Sequence, residues 1–434
     1  MKDYPNYIKN KLINIIIEMS NHPEYYVKNP KRDFVRNRKL TFKTVIEILL
    51  SMGGQSISQE LMDYFKHDTN LPSSSAFIQQ REKILPSAFE ILLAKFNSSL
   101  DNLKTYKGYR LLAVDGSDLN IPHNPKDLDN YCQSISNRKG YNILHLNAVY
   151  DLCNKLYIDA AVNKYKEKHE GRAFIEMAQR SKITEKAIFI ADRGYESYNV
   201  FAHIGRIGFK YIIRVKDINS NGIVSSLVLP NEDEFDTIVS LKLTRSRTNE
   251  IKAHPEIHKF LPNNSTFDFL KSGDKGVFPI TFRVVRFKIS ENNYQTVMSN
   301  LDSSEFSITQ IKELYNMRWG IETSFRELKY AIGLINFHSK NVDYIFQEIF
   351  ARIVMYNFCE TLTLHVVIKQ KASRKYTYQV NFTMAINICI SFFKDSKIIL
   401  ETLISRFTLP IRNNRKCPRK SKAKSAISFN YRIS

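Results

Sequence analysis

Apolar residues recur at helical spacing through the first hundred positions. KLINIIIEM (11–19), LTFKTVIEILLSM (40–52), SQELMDYF (58–65) and PSSSAFIQQREKILPSAFEILLAKF (72–96) read as helices, the last with a Ser-rich cap at Ser73 to Ser75. A basic linker, KNPKRDFVRNRK (28–39), separates the first two. From residue 108 the period changes. YRLLAVDG (109–116), YNILHLNAVYD (141–151) and KLYIDAAVN (155–163) are strands rich in β-branched and aromatic residues. EGRAFIEMAQR (170–180) follows as an amphipathic helix, then the strand KAIFIADRGY (186–195), the helix YNVFAHIGRIG (198–208) and the strand FKYIIRVKD (209–217). Three strands in hairpin-like succession, then strand–helix alternation, predict an α/β fold with a mixed sheet covered by helices.

Residues 217–304 are more polar, with strand candidates at NGIVSSLVL (221–229), TIVSLKLT (237–244), PITFRVVRFKI (279–289) and YQTVMSN (294–300). They read as a mostly β insertion. Beyond it, Ser307 and Gln310 form a capping-box start and Gly333 a stop, which predicts one helix of about seven turns. DYIFQEIFARIVMYNFCETL (343–362) is a second, buried helix. The expected organisation is a helical N-terminal region (1–104), whose basic approach suits a DNA-binding headpiece and whose pattern equally fits a plain helical packing domain, a core in two parts (105–216 and 305–372) interrupted by the insertion (217–304), and a basic C-terminal region (373–434).

The helix after the insertion carries its charges in an unusual place. At roughly 100° per residue, Leu314, Met317, Ile321, Phe325, Leu328 and Ile332 share an arc of about 80°, and Tyr315, Arg318, Glu322 and Lys329 an adjoining arc of about 60°. An acid is thus held at the edge of the core. Two further acids end apolar runs: Asp115 after LLAV and before Gly116, and Asp192 after AIFIA and before Arg193 and Gly194. A carboxylate at a strand end is open to ligand, and the glycine lets a backbone approach. Asp118 is a rival to Asp115, and Arg193 is either a DNA contact or a partner of Asp192.

Composition narrows what such acids are for. The net charge of +21 across 434 residues points to a polyanionic partner, nucleic acid before membrane. RNNRKCPRKSKAK (412–424) holds seven basic residues in thirteen and reads as a phosphate-binding arm. The five cysteines show no CxxC pair, which argues against a zinc cluster or disulfide framework. His254 and His258 flank Pro255 and read as a surface loop. No GxGxxG or GxxxxGK[ST] occurs, so no nucleotide cofactor is expected. The N-terminus does not resemble a signal peptide and the uncharged stretch 376–393 is too polar for a membrane span, so a cytoplasmic, nucleoid-associated protein is expected.

Three converging carboxylates repel one another unless cations sit among them. Magnesium suits oxygen ligands and phosphate, and two ions can activate an attacking water or 3′ hydroxyl and stabilise the leaving oxygen at phosphorus. Asp115, Asp192 and Glu322 are therefore the candidate catalytic metal ligands for two Mg2+, with Mn2+ expected to substitute. Arg318 and Lys329 are candidate phosphate contacts and Tyr315 a hydrogen-bond donor to DNA.

Tyr315, Arg318, Glu322 and Lys329 match the Tyr-x2-Arg-x3-Glu-x6-Lys signature, and LLAVDGSD and IADRGY resemble the first and second aspartate segments, of the DDE transposases of bacterial insertion sequences in the insertion-sequence-four family. The resemblance spans roughly residues 30–420. It implies an RNase H-like core and cut-and-paste transposition: a homodimer synapses the inverted-repeat ends of an insertion sequence in double-stranded DNA, cleaves them with Mg2+ and joins the 3′ ends to target DNA. Related enzymes use a DNA hairpin with an aromatic stacked on a flipped base, for which Tyr294 and Trp319 are candidates. The alternatives are a metal-dependent nuclease without strand transfer and an inactive DNA-binding relative.

Overall fold

A computed structural model describes residues 3–36, 38–133 and 140–412; most of the expected basic arm, from residue 413, lies outside them. Five helices come first: α1 (Tyr4–Asn21), α2 (Phe42–Ser51), α3 (Ile57–Tyr64), α4 (Ser74–Arg81) and α5 (Ser87–Ser98). Thr41, Ser56 and Ser73 start three of them by accepting the N–H three residues on. The strands β1 (Arg110–Ile121), β2 (Tyr131–Cys132), β3 (Tyr141–Asp151) and β4 (Leu156–Lys164) follow, then α6 (Glu170–Gln179), β5 (Ala187–Ala191), α7 (Tyr198–Ile207) and β6 (Lys210–Val215).

The next stretch supplies β7 (Phe235–Thr244), the short α8 (Asn249–Ala253), β8 (His258–Phe260), β9 (Val277–Ser290) and β10 (Asn293–Ser299). NGIVSSLVL forms no strand; it holds one 3-10 turn at Val224–Ser226, where only Val224 is deeply buried. Two helices, α9 (Ile308–Met317) and α10 (Trp319–Tyr330), replace the single one expected, and α11 (Val342–Thr363) is buried along almost its whole length. The chain then forms β11 (Tyr378–Val380), α12 (Phe382–Lys394), α13 (Leu400–Arg406) and β12 (Thr408–Pro410), with β11 and β12 paired. No helix among the described residues is long and apolar enough to cross a membrane.

All of β1 to β10 belong to one sheet. Its order is β3-β1-β5-β6-β10-β9-β7-β8, with β2 and β4 both on the outer edge of β3. β3 runs antiparallel to β1 and β4, whereas β5 is parallel to β1 and β6 to β5. This is the RNase H-like arrangement expected for the core. The strands after residue 217 do not stand apart: β10 pairs antiparallel with β6 and carries the sheet onward.

Alternation along β1 divides the side chains between two faces. Leu112 and Val114 join Phe174, Met177, Phe201 and Ile204 of α6 and α7 in one core, while Ala113 joins Ile321, Phe325 and Leu328 of α10 in another. That second core also takes in α1 to α5 and α11. A buried polar tie fastens the N-terminal helices to α11: Arg81 donates to Glu348 Oε1 at 3.0 Å, Gln347 Oε1 at 3.1 Å and the Tyr344 carbonyl at 2.9 Å.

Candidate active site

The site begins where β5 stops. β1 and β5 pair from Arg110↔Ala187 to Val114↔Ala191, and the next residue on each strand is an acid, Asp115 and Asp192. β1 itself does not end there; it continues to Ile121 against β3, so Asp115 is not at a strand terminus as expected. What opens the position is the loss of its partner strand. Asp192 caps the turn Arg193–Tyr195, its Oδ1 accepting the Gly194 N–H at 2.7 Å, and Asp115 Oδ1 accepts the Gly116 N–H at 2.8 Å. Among the described residues no ion pair joins Asp192 to the exposed Arg193.

Asp115 and Ser117 lie on the α10 face, where the third acid arrives. The helix breaks at Arg318, whose N–H turns back to the Tyr315 carbonyl at 3.1 Å in a tighter, 3-10-like turn. Met317 is consequently exposed, although Leu314, Ile321, Phe325 and Leu328 are buried as the stripe requires. Arg318 Nη2 donates to Glu322 Oε1 at 2.8 Å, and its Nη1 lies 3.8 Å from Asp115 Oδ2. One guanidinium thus bridges two of the three acids. The helices end at Gly333, with φ of +90° in the left-handed region.

Electrostatics report the crowding. The Asp115 carboxyl is pushed up to about 6, by burial first; the Gly116 N–H and Arg318 oppose this, and Asp192 and Glu322 add to it. Tyr195, fully buried, has its phenol pushed far up by burial and then by Glu170, Asp115 and Asp192. The Tyr315 phenol is raised by burial, and its hydroxyl makes no well-directed hydrogen bond among the described residues. Lys329 donates to Ser117 Oγ at 2.7 Å and to the Asp118 carbonyl at 2.8 Å, binding α10 to the far part of β1. Trp319 is 53% exposed, with the Arg318 guanidinium 5.3 Å from its ring. Tyr294, at the start of β10, instead donates to Asp233 at 3.2 Å and faces Arg286.

Asp118 faces the other way. It accepts from His145 Nδ1 at 2.8 Å and Lys168 Nζ at 3.1 Å, and these partners, His145 first, hold its carboxyl well below the usual range. The rival to Asp115 is thus an ion-pair residue on the α6 face. Glu170, at the first turn of α6, completes this group with His145 Nε2 3.2 Å from Oε1. The His145 contact chiefly lowers the Glu170 carboxyl; burial pulls the His145 imidazole down, but Asp118 and Glu170 outweigh it and raise it. Sequence reasoning missed His145, Glu170 and Tyr195. Their convergence depends on the register of β3 on β1 and the landing point of α6, and residue spacing shows neither.

The donor set is all oxygen and mutually repulsive, which suits a hard divalent cation. Among the described residues, however, no three His, Cys, Asp or Glu side chains stand close enough together to grip an ion as they are.

Fold and site define an α/β protein in which carboxylates from separate elements meet at a notch in an RNase H-like sheet. The chain belongs to the transposase DDE domain family, whose model matches residues 106–358 and so takes in Asp115, Asp192 and Glu322. It is also similar to piggyBac transposase, seen by cryo-electron microscopy in a synaptic complex with hairpin DNA, at 11% identity and a TM-score of 0.46 over 90% of this chain and 80% of the other. No match is found among curated proteins.

Proposed function

We propose that this transposase moves an insertion sequence of the insertion-sequence-four type by cutting its inverted-repeat ends and joining the 3′ ends to target DNA, as a homodimer that synapses both ends. The observation that carries the reading is the meeting of Asp115 and Asp192 where β5 stops, with Glu322 brought to Asp115 through Arg318. In it, Asp115, Asp192 and Glu322 hold the metal, with Mg2+ the natural choice and Mn2+ a substitute. When bound, such ions supply an activated oxygen nucleophile and stabilise the leaving oxygen at phosphorus.

The chain's own residues do the rest. Arg318, already beside both acids, is placed to turn its fork toward a phosphate when the acids are otherwise engaged. Lys329 is held at the Ser117 end of the same face, where a single ammonium can meet a second phosphate. The Tyr315 hydroxyl lacks a well-directed partner and can donate to the bound strand.

The test uses a labelled duplex bearing the ends that flank this reading frame, incubated with Mg2+. Asp115→Asn, Asp192→Asn and Glu322→Gln should each abolish cleavage while leaving end binding intact. Normal cutting by any one of them removes that residue from the ligand set. Pre-cleaved ends offered with target DNA should give joined products; cleavage without joining would make the protein a nuclease.

A further inference from the structure

The pairing of glycines with the two aspartates has a local explanation. A Cβ at Gly116 would collide with the His145 imidazole and stand 3.0 Å from Glu170 Oε1; a Cβ at Gly194 would stand 3.3 Å from Glu170 Oε2 and 3.1 Å from Asp192 Oδ1. One carboxylate therefore lies between the turn after Asp192 and the strand after Asp115, in room that both glycines keep clear. Glu170 Oε2 and Asp192 Oδ1 close on the same point from different elements.

The two oxygens of Glu170 are treated unequally. His145 Nε2, 3.2 Å away though not aligned as a hydrogen bond, and Lys168 Nζ at 3.8 Å both face Oε1. Asp118 in turn contacts both of these partners, at 2.8 Å and 3.1 Å. No hydrogen bond or ion pair among the described residues engages Oε2, and the side chain keeps 30% of its surface exposed. Glu170 is thus anchored by one oxygen, with the other turned to the notch. It comes from the α6 face, whereas Arg318 and Glu322 come from the α10 face. The break between β1 and β5 is where side chains from both faces reach one place.

We propose that Glu170 is a fourth carboxylate of the site, anchored through Oε1 by His145 and Lys168 and presenting Oε2 beside Asp192 to the bound divalent cation. The inference rests on the metal-dependent reading above. Glu170 would then add a carboxylate oxygen from the α6 face, opposite the α10 face that brings Glu322. Asp192 then has a partner across Gly194.

The experiment compares Glu170→Gln with the full wild-type chain by two readouts. Mn2+ affinity is measured calorimetrically on the DNA-free protein, and the Mg2+ concentration giving half-maximal cleavage is measured on the labelled ends. E170Q should weaken the first and raise the second about tenfold, with end binding unchanged. If both remain at wild-type values, or if E170Q only lowers the melting temperature, Glu170 is a packing residue and the proposal falls. Should E170Q not fold, Glu170→Asp keeps the charge that His145 and Lys168 grip but withdraws it by one methylene, and the same two readouts decide. The failures are separable: cutting that survives D115N and D192N overturns the proposed function, whereas cutting lost in both with unaltered metal dependence in E170Q overturns only the role of Glu170.

Discussion

Asp115→Asn should make the metal-free protein more stable while destroying its chemistry. The fold lifts the Asp115 carboxyl from 3.8 to about 6, chiefly by burial and then through Asp192 and Glu322. A folded value above the unfolded one means that the folded state binds the proton more tightly. The stability that this group contributes is therefore full below about pH 4 and is lost as the pH rises through about 6. The difference amounts to roughly 3 kcal/mol once both states are ionised, at about 1.4 kcal/mol for each tenfold change in acidity. Asparagine keeps an acceptor for the Gly116 N–H, does not titrate, and gives up only the 3.8 Å contact with Arg318, which retains Glu322. Urea unfolding in chelator should place D115N about 2 to 3 kcal/mol above wild type at pH 7.5 and level with it at pH 4. A D115N protein no more stable than wild type at pH 7.5, with the same denaturant slope, would refute the claim that this carboxylate is held charged against its surroundings.

Three other substitutions probe separate parts of the structure. Lys329→Ala loses both ties to β1, which should cost about 1 to 2 kcal/mol in thermal unfolding; it should also reduce the salt slope of end binding by about 0.9, and an unaltered slope would remove Lys329 from the phosphate contacts. Tyr315→Phe deletes a buried hydroxyl without a well-directed partner, so unfolding should show no loss of stability. Its cleavage rate should nevertheless drop, and a wild-type rate would mean that the hydroxyl does not touch the strand. Glu348→Gln leaves Arg81, Arg352 and His338 around a neutral amide in a site where Glu348 is held down to about 2 despite its burial; a loss of about 3 to 5 kcal/mol is expected, and one below about 1 kcal/mol would show that the tie is slack.

Much of the core was legible because its elements bury one face each. The strands at YNILHLNAVYD and AIFIA and the helices at EGRAFIEMAQ and YNVFAHIGRI lie where the change from a period of two to 3.6 places them. NGIVSSLVL misled because β-branched residues mark a strand only where a neighbour pairs with it. The helix around Arg318 carries continuous periodicity, yet its backbone tightens there, where the guanidinium contacts Asp115 and Glu322. This break leaves no mark on the apolar stripe, into which Met317 still fits. Asp115, Asp192 and Glu322 stand out in the sequence only as a set: singly, each aspartate reads as a turn after a strand and Glu322 as a surface partner of Arg318. Glu170 does not stand out: on a helical wheel it is an ordinary first-turn acid, and only the fold places it beside Gly194.

The continuity of the sheet from β6 into β10 has a consequence for how the protein comes into being. Asp115 and Asp192 precede β7 to β10, and Glu322 follows them. A ribosome therefore delivers two acids, then a long run of strands that must find antiparallel partners at large sequence separation, and only then the third. Such distant pairings form slowly. A half-synthesised chain therefore holds Asp115 and Asp192 without Glu322, and the three acids come together only once α10 is made and docked.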